Sequence, residues 1–174
     1  PVGRVLALML ARVAPDPSRI ALLQGTAAAA TPAAAVPAAD PRVLAMNHGS
    51  RVLLESLHAW PAKAADILNI HVSQRGRLGR SVIRNTDFDV PQLGCVVAYS
   101  ALHARLEECV AASGVTLLSG PPAVVDGQDA DGVRISQGET ALSCRIAVQS
   151  DGAGGGDVRR DYGQHALLTT AHAS

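Results

Sequence analysis

Two stretches carry residues whose types and spacing suit binding of a phosphorylated ligand. In residues 145–159, RIAVQSDGAGGGDVR, an apolar run at 146–148 stops at Asp151-Gly152 and passes into glycines 152, 154, 155 and 156. A short buried strand that ends in a glycine-rich turn lets the backbone approach a ligand, since glycine has no Cβ and tolerates positive φ. The Asp151 carboxylate could then accept from a ribose or ribityl hydroxyl. Asp-Gly is equally an ordinary hairpin turn, and the residues alone leave both readings open. The second stretch is Pro1-Val2-Gly3 ahead of an expected helix. It is compatible with the tail of a phosphate loop, where the last glycine allows close helix–strand packing and the free N–H groups of the helix start attract an anion.

Other positions carry narrower chemistry. Gln24 follows the apolar run 20–23, where a dinucleotide fold usually sets an acid on a ribose; an amide bonds a hydroxyl less strongly than a carboxylate. Arg42, after a loop and before a helix, is either a surface cation or a pyrophosphate contact. His71, between Ile70 and Val72 of an expected strand, reads as a half-buried packing residue or a catalytic base. The remaining histidines and the cysteines 95, 109 and 144 show no metal-ligand spacing. Ser50, Ser100 and Ser150 lack a nucleophile elbow, so serine hydrolysis has no support. Asp87 and Asp89 read as solvated loop residues. No residue is nominated as catalytic and none as a metal ligand.

These positions need elements to hold them. Val5, Leu6, Met9, Leu10 and Val13 lie at helical spacing, which predicts a helix over 1–14. Residues 20–23 suit a parallel strand buried on both faces. An α/β unit should open on a strand, so one is expected ahead of Pro1, and the chain reads as part of a longer one. Residues 25–40, rich in Ala, Thr and Pro, read as a loop or linker. Residues 43–45 form a short apolar run. Asn47 should cap a helix to about His58, with Val52, Leu53 and Leu57 on one face. Pro61 should start a short helix through Ile67. Residues 68–73 and 81–84 predict a hairpin. Residues 95–98 predict a strand, and Ser100 the cap of a helix with Leu102, Leu106, Cys109 and Val110 inward, stopped at Gly114. Strands are expected at 115–118, 123–126 and 133–136, the last two joined by an Asp-Gly turn. The chain from 141 to 148 then returns to the glycine-rich loop, and 165–170 reads as one more strand.

Composition narrows the function. With 15 Lys+Arg against 15 Asp+Glu the formal charge is zero, which argues against a nucleic-acid surface. Aromatics are 2% of the chain, too few for base-stacking platforms. The 48% hydrophobic content is that of a globular chain with a core. Three scattered cysteines are no disulfide framework and fit a reducing cytoplasm. Arg4 and Arg12 interrupt the first apolar run, and nothing approaches the roughly 18 apolar residues of a spanning helix, so any membrane contact would be peripheral.

Taken together, DPRVLAMNHGSRVLLESLHAWP, LNIHVSQRGRLGRSVIRNTDFDVPQLGCVV, SDG and YGQHALL resemble the FAD-dependent hydroxylases of ubiquinone biosynthesis. The resemblance is to the 2-octaprenyl-6-methoxyphenol hydroxylase type, grouped with p-hydroxybenzoate hydroxylase among class A flavoprotein monooxygenases. It implies an α/β fold: a Rossmann-like FAD/NAD(P)-binding domain with an inserted β-sheet layer from a substrate domain. Residues 1–66 and 99–160 would belong to the FAD domain, 67–98 to a substrate-domain hairpin, and 161–174 to the start of a substrate-domain strand. By position in the motifs, Gly3 matches the last glycine of the pyrophosphate loop, Gln24 the ribose ligand and Arg42 an FAD-contacting arginine. Tyr99 falls near the isoalloxazine and Val124 where a backbone meets the adenine. Asp151 and Gly152 match a second fingerprint beside the flavin and the nicotinamide path, and His71 a histidine of no assigned role. Gly155 stands where many relatives have Ser, and the downstream Gly-Asp segment of the family has no counterpart in the chain.

The activity so implied is hydroxylation of a polyprenylated phenol with NAD(P)H and O2. Expected partners are the prenylphenol, the face of the inner membrane, and other quinone-pathway proteins or a second copy, in the cytoplasm. Two other readings stand beside it: a non-catalytic FAD- or nucleotide-binding fragment serving as an assembly surface, and a plain flavin reductase.

Overall fold

Leu102, Leu106 and Val110 recur every fourth residue, and a helix with that repeat presents one continuous apolar edge. In a computed structural model, which describes residues 1–25, 42–74, 76 and 78–150, those three side chains are at most 2% exposed. They centre a core with Leu8, Leu54, Leu57, Ala59 and Val97. The elements run α1 (Val2–Val13), β1 (Ala21–Gly25), β2 (Val43–Asn47), α2 (His48–Ser56), β3 (Ala65–Ile67), β4 (Asn69–Ser73) and β5 (Arg80–Arg84). They continue with β6 (Gly94–Ala98), α3 (Tyr99–Ala111), β7 (Thr116–Gly120), β8 (Val124–Asp129), β9 (Gly132–Gln137) and β10 (Thr140–Cys144). The protein thus mixes helices with sheets in an α/β arrangement.

Among the described residues the strands form four small sheets: β1-β7, β2-β6-β3, β4-β5 and β10-β9-β8. β6 is antiparallel to both β2 and β3, β4 to β5, and β9 to both β8 and β10. The chain divides into two compact units. Of the described residues, one holds 3–22 and 42–117, including 67–98; the other holds 23–25 and 118–150.

Within the first unit β6 is the central strand of its sheet, and a Cβ on Gly94 would fall on the Met46 carbonyl oxygen across the β2–β6 pair. Only glycine fits there. Asn47 ends β2 and caps α2, its Oδ1 accepting from Ser50 N at 2.8 Å, as its position predicts. In the second unit Asp131-Gly132 turns β8 into β9, and Asp129 Oδ1 accepts from both N–H groups at 3.0 and 3.2 Å.

Several expectations are corrected. Residues 146–148, read as a buried strand entering the glycine-rich turn, belong to no strand; β10 ends at Cys144, and Ile146 and Val148 are 79% and 61% exposed. β9 supplies ladder partners for Thr140–Cys144, and the ladder ends there. The short helix from Pro61 is absent; its last residues form β3, because pairing with β6 satisfies backbone groups that a single helical turn leaves open. Ser100 does not cap α3: Ala98 holds that position without a side-chain cap, since β6 runs directly into the helix. On α2 the inward residues are Leu54 and Leu57, while Val52 and Leu53 are exposed. β1 has exposed ends and half-buried residues between, not two buried faces, and it extends to Gly25 at the start of the expected linker. The rest of that linker, the second fingerprint and the strand at 165–170 lie outside the described residues.

Candidate functional site

The first turn of α1 contains Gly3 and Arg4, holds no acidic residue, and receives no side-chain cap. Its leading N–H groups therefore keep their donor capacity and the positive end of the helix dipole. Arg4 reaches from this turn to α3, where one guanidinium nitrogen lies 2.9 Å from His103 Nε2 and another donates to Glu107 Oε1 at 3.0 Å. The Arg4 side chain is 13% exposed, and its Nε has no partner among the described residues. A bond donated to Nε2 makes that nitrogen the acceptor, which places the ring proton of neutral His103 on Nδ1, 3.6 Å from Glu107 Oε2.

His103 continues the chain of contacts. Its ring lies 5.8 Å from that of Tyr99, one helical turn earlier, at an interplanar angle of 32°. The Arg42 guanidinium lies 4.2 Å from the Tyr99 ring centroid, and Tyr99 N donates to the Arg42 carbonyl at 2.9 Å. Three of the expected site residues of the first unit are thus linked, Gly3 through its neighbour Arg4, then His103, Tyr99 and Arg42. The cluster carries two guanidiniums, an uncapped helix start and one carboxylate. Glu107 offsets the charge of Arg4 within it, and the uncapped helix start is the part suited to an anion.

Gln24 and Val124 belong to the second unit. Gln24 is half-buried near the end of β1, and its carbonyl accepts from the Gln137 amide at 3.0 Å. A Cβ on the following Gly25 would stand 3.4 Å from Pro122 Cα. Val124 begins β8 two residues beyond Pro122 and is 57% exposed. The end of β1 and the start of β8 therefore meet at the Pro121-Pro122 corner. Asp151 and Gly152 lie outside the described residues.

His71 is exposed, opposite Val82 in the β4–β5 pair, and not half-buried as expected, because this two-stranded ribbon has no third layer among the described residues. Among those residues no group of three or more His, Cys, Asp or Glu could hold a metal ion, and no helix is long and apolar enough to cross a membrane. The three cysteines are free thiols, and burial pushes the Cys95 thiol above its ordinary pKa.

Sequence reasoning misses Arg4, His103 and Gln137. For His103 a signal exists: Tyr99, His103 and Glu107 follow one another at four-residue spacing and must share a helix face. Arg4 marks itself only as a charge inside an apolar helix, and its partner is 99 residues away. No protein-family model matches this chain, and no curated protein matches it.

Proposed function

We propose that this chain is the FAD-binding part of a flavin-dependent hydroxylase that acts on a polyprenylated phenol with NAD(P)H and O2, in a Rossmann-like domain with an inserted substrate-side layer. The observation that carries the reading is the uncapped, acid-free first turn of α1, joined through Arg4 and His103 to Tyr99 and Arg42. Such a turn fits a pyrophosphate, because unfilled N–H groups and nearby guanidiniums both favour negative charge. Gly3 and Arg4 would face the diphosphate, Arg42 would add charge, and Tyr99 would lie toward the flavin ring. Gln24 would hold the ribose and the backbone at Val124 the adenine, with Asp151 and Gly152 on the flavin and nicotinamide side. Bound flavin supplies the redox chemistry and the activation of O2; the chain's own residues bind, orient and exclude water.

The test is direct. The purified protein, refolded with FAD if colourless, should carry a flavin absorbance band and oxidise NAD(P)H faster when a short-chain prenylphenol is added, releasing hydroxylated product. Flavin binding with substrate-independent NAD(P)H oxidation would select a plain reductase. A protein that refuses FAD at any concentration would end the reading.

One observation favours a second reading, an assembly surface of a quinone-pathway complex. Val2, Met9, Leu10 and Val13 recur along α1 and are each at least 43% exposed, an apolar stripe that a partner or another part of a longer chain would cover. A bound partner that masks α1 without any flavin being present would support it.

A further inference from the structure

Gln137 is 5% exposed, and its amide nitrogen donates two hydrogen bonds at 3.0 Å, one to the Gln24 carbonyl and one to the Pro121 carbonyl. A buried amide that serves two backbone carbonyls from different segments is a geometric clamp, since losing it removes a donor from both acceptors at once. The clamp is built closely. Gly120 lacks a Cβ where one would stand 3.2 Å from Gln137 Cγ, and Gly138, at φ +61, turns the chain directly after Gln137 beside the Pro121 ring. Every contact here lies within the second unit. The tip of β1 is thereby held by β9 and by the proline corner, besides its ladder with β7.

From this geometry we infer that Gln137 is a positioning residue for ligand binding: it fixes the main chain of Gln24 so that the Gln24 carboxamide meets the ribose of an adenine nucleotide. The inference rests on the flavin reading above and adds to it the residue that orients the ribose contact. A neutral amide at the end of β1 makes only an ordinary hydrogen bond, roughly half as strong as the charge-assisted bond of a carboxylate. It therefore depends more on pre-set direction than a carboxylate would, and the clamp supplies that direction.

The test uses the whole chain, with FAD binding followed by flavin fluorescence and adenosine monophosphate binding by calorimetry. Gln137→Met keeps the side-chain length and removes both donated bonds. Gly120→Ala crowds the Gln137 Cγ, so that the amide must shift by a few tenths of an ångström while Gln137 stays in place. Gln137→Met should weaken adenosine monophosphate about tenfold in the wild-type background and Gly120→Ala by a smaller factor, and each should have little further effect in a Gln24→Ala background. A purely structural role would not give that non-additivity. Equal losses in both backgrounds, or unchanged affinity in Gln137→Met with the wild type binding normally, would overturn the positioning role while leaving the flavin reading intact. Wild-type protein that binds neither ligand would overturn both. Should Gln137→Met fail to fold, Gly120→Ala and its double variant with Gln24→Ala carry the same decision.

Discussion

Asp129 shows how one exposed carboxylate fixes a turn. Its pKa is lowered first by the hydrogen bond from Arg134, then by the backbone N–H of Asp131, with the Gly132 N–H acting in the same direction. A folded-state pKa below the unfolded one means that the carboxylate supports the turn above the ordinary Asp range and loses that support as pH falls through the depressed value. The midpoint of the Asp129 carboxyl, followed by NMR, should fall below 3.8, and Asp129→Asn should remove that part of the acid sensitivity of the β8–β9 hairpin. The Arg42–Tyr99 contact is a second residue-scale case. A double-mutant cycle with Arg42→Met and Tyr99→Leu should give a coupling of about 0.5–1 kcal/mol in urea unfolding, the usual size of an exposed cation–π pair. A coupling of zero would mean that the ring and the guanidinium are merely neighbours.

At the scale of elements, α2 depends on its cap and α3 on its inward edge. Asn47→Ala removes the acceptor for Ser50 N and should cost about 1 kcal/mol, read as a lower urea midpoint at unchanged slope. Leu106 is completely buried at the centre of the core, so Leu106→Ala should cost about 2–5 kcal/mol by transfer and cavity terms together. Both helices are legible in the sequence because their signals are local: a capping residue, a four-residue apolar repeat, a glycine near the end at positive φ. The β4–β5 and β8–β9 hairpins are legible for the same reason, since nearby turn residues set their registers. The segment after Pro61 is not. Its three residues become β3 only because β6 offers a free edge, which no local pattern announces.

At the scale of the molecule, Gly3, Arg42 and Tyr99 belong to the first unit and Gln24 and Val124 to the second, and on the proposed flavin reading each unit is tested by its own substitution. Tyr99→Ala should weaken FAD more than adenosine monophosphate, whereas Gln24→Ala should weaken both by a similar factor; the reverse pattern in calorimetry would reassign the flavin side. The sequence by itself determined the helix spacings, the Asn47 cap, the hairpin turns and the charge balance. All of these depend on residue type and on neighbours a few positions away. Tertiary structure alone decided that residues 146–148 leave the ladder, that Arg4 meets His103, and that Gln137 closes on Gln24. Each of those outcomes turns on which backbone groups find partners across long stretches of chain, and that is settled only when the segments pack.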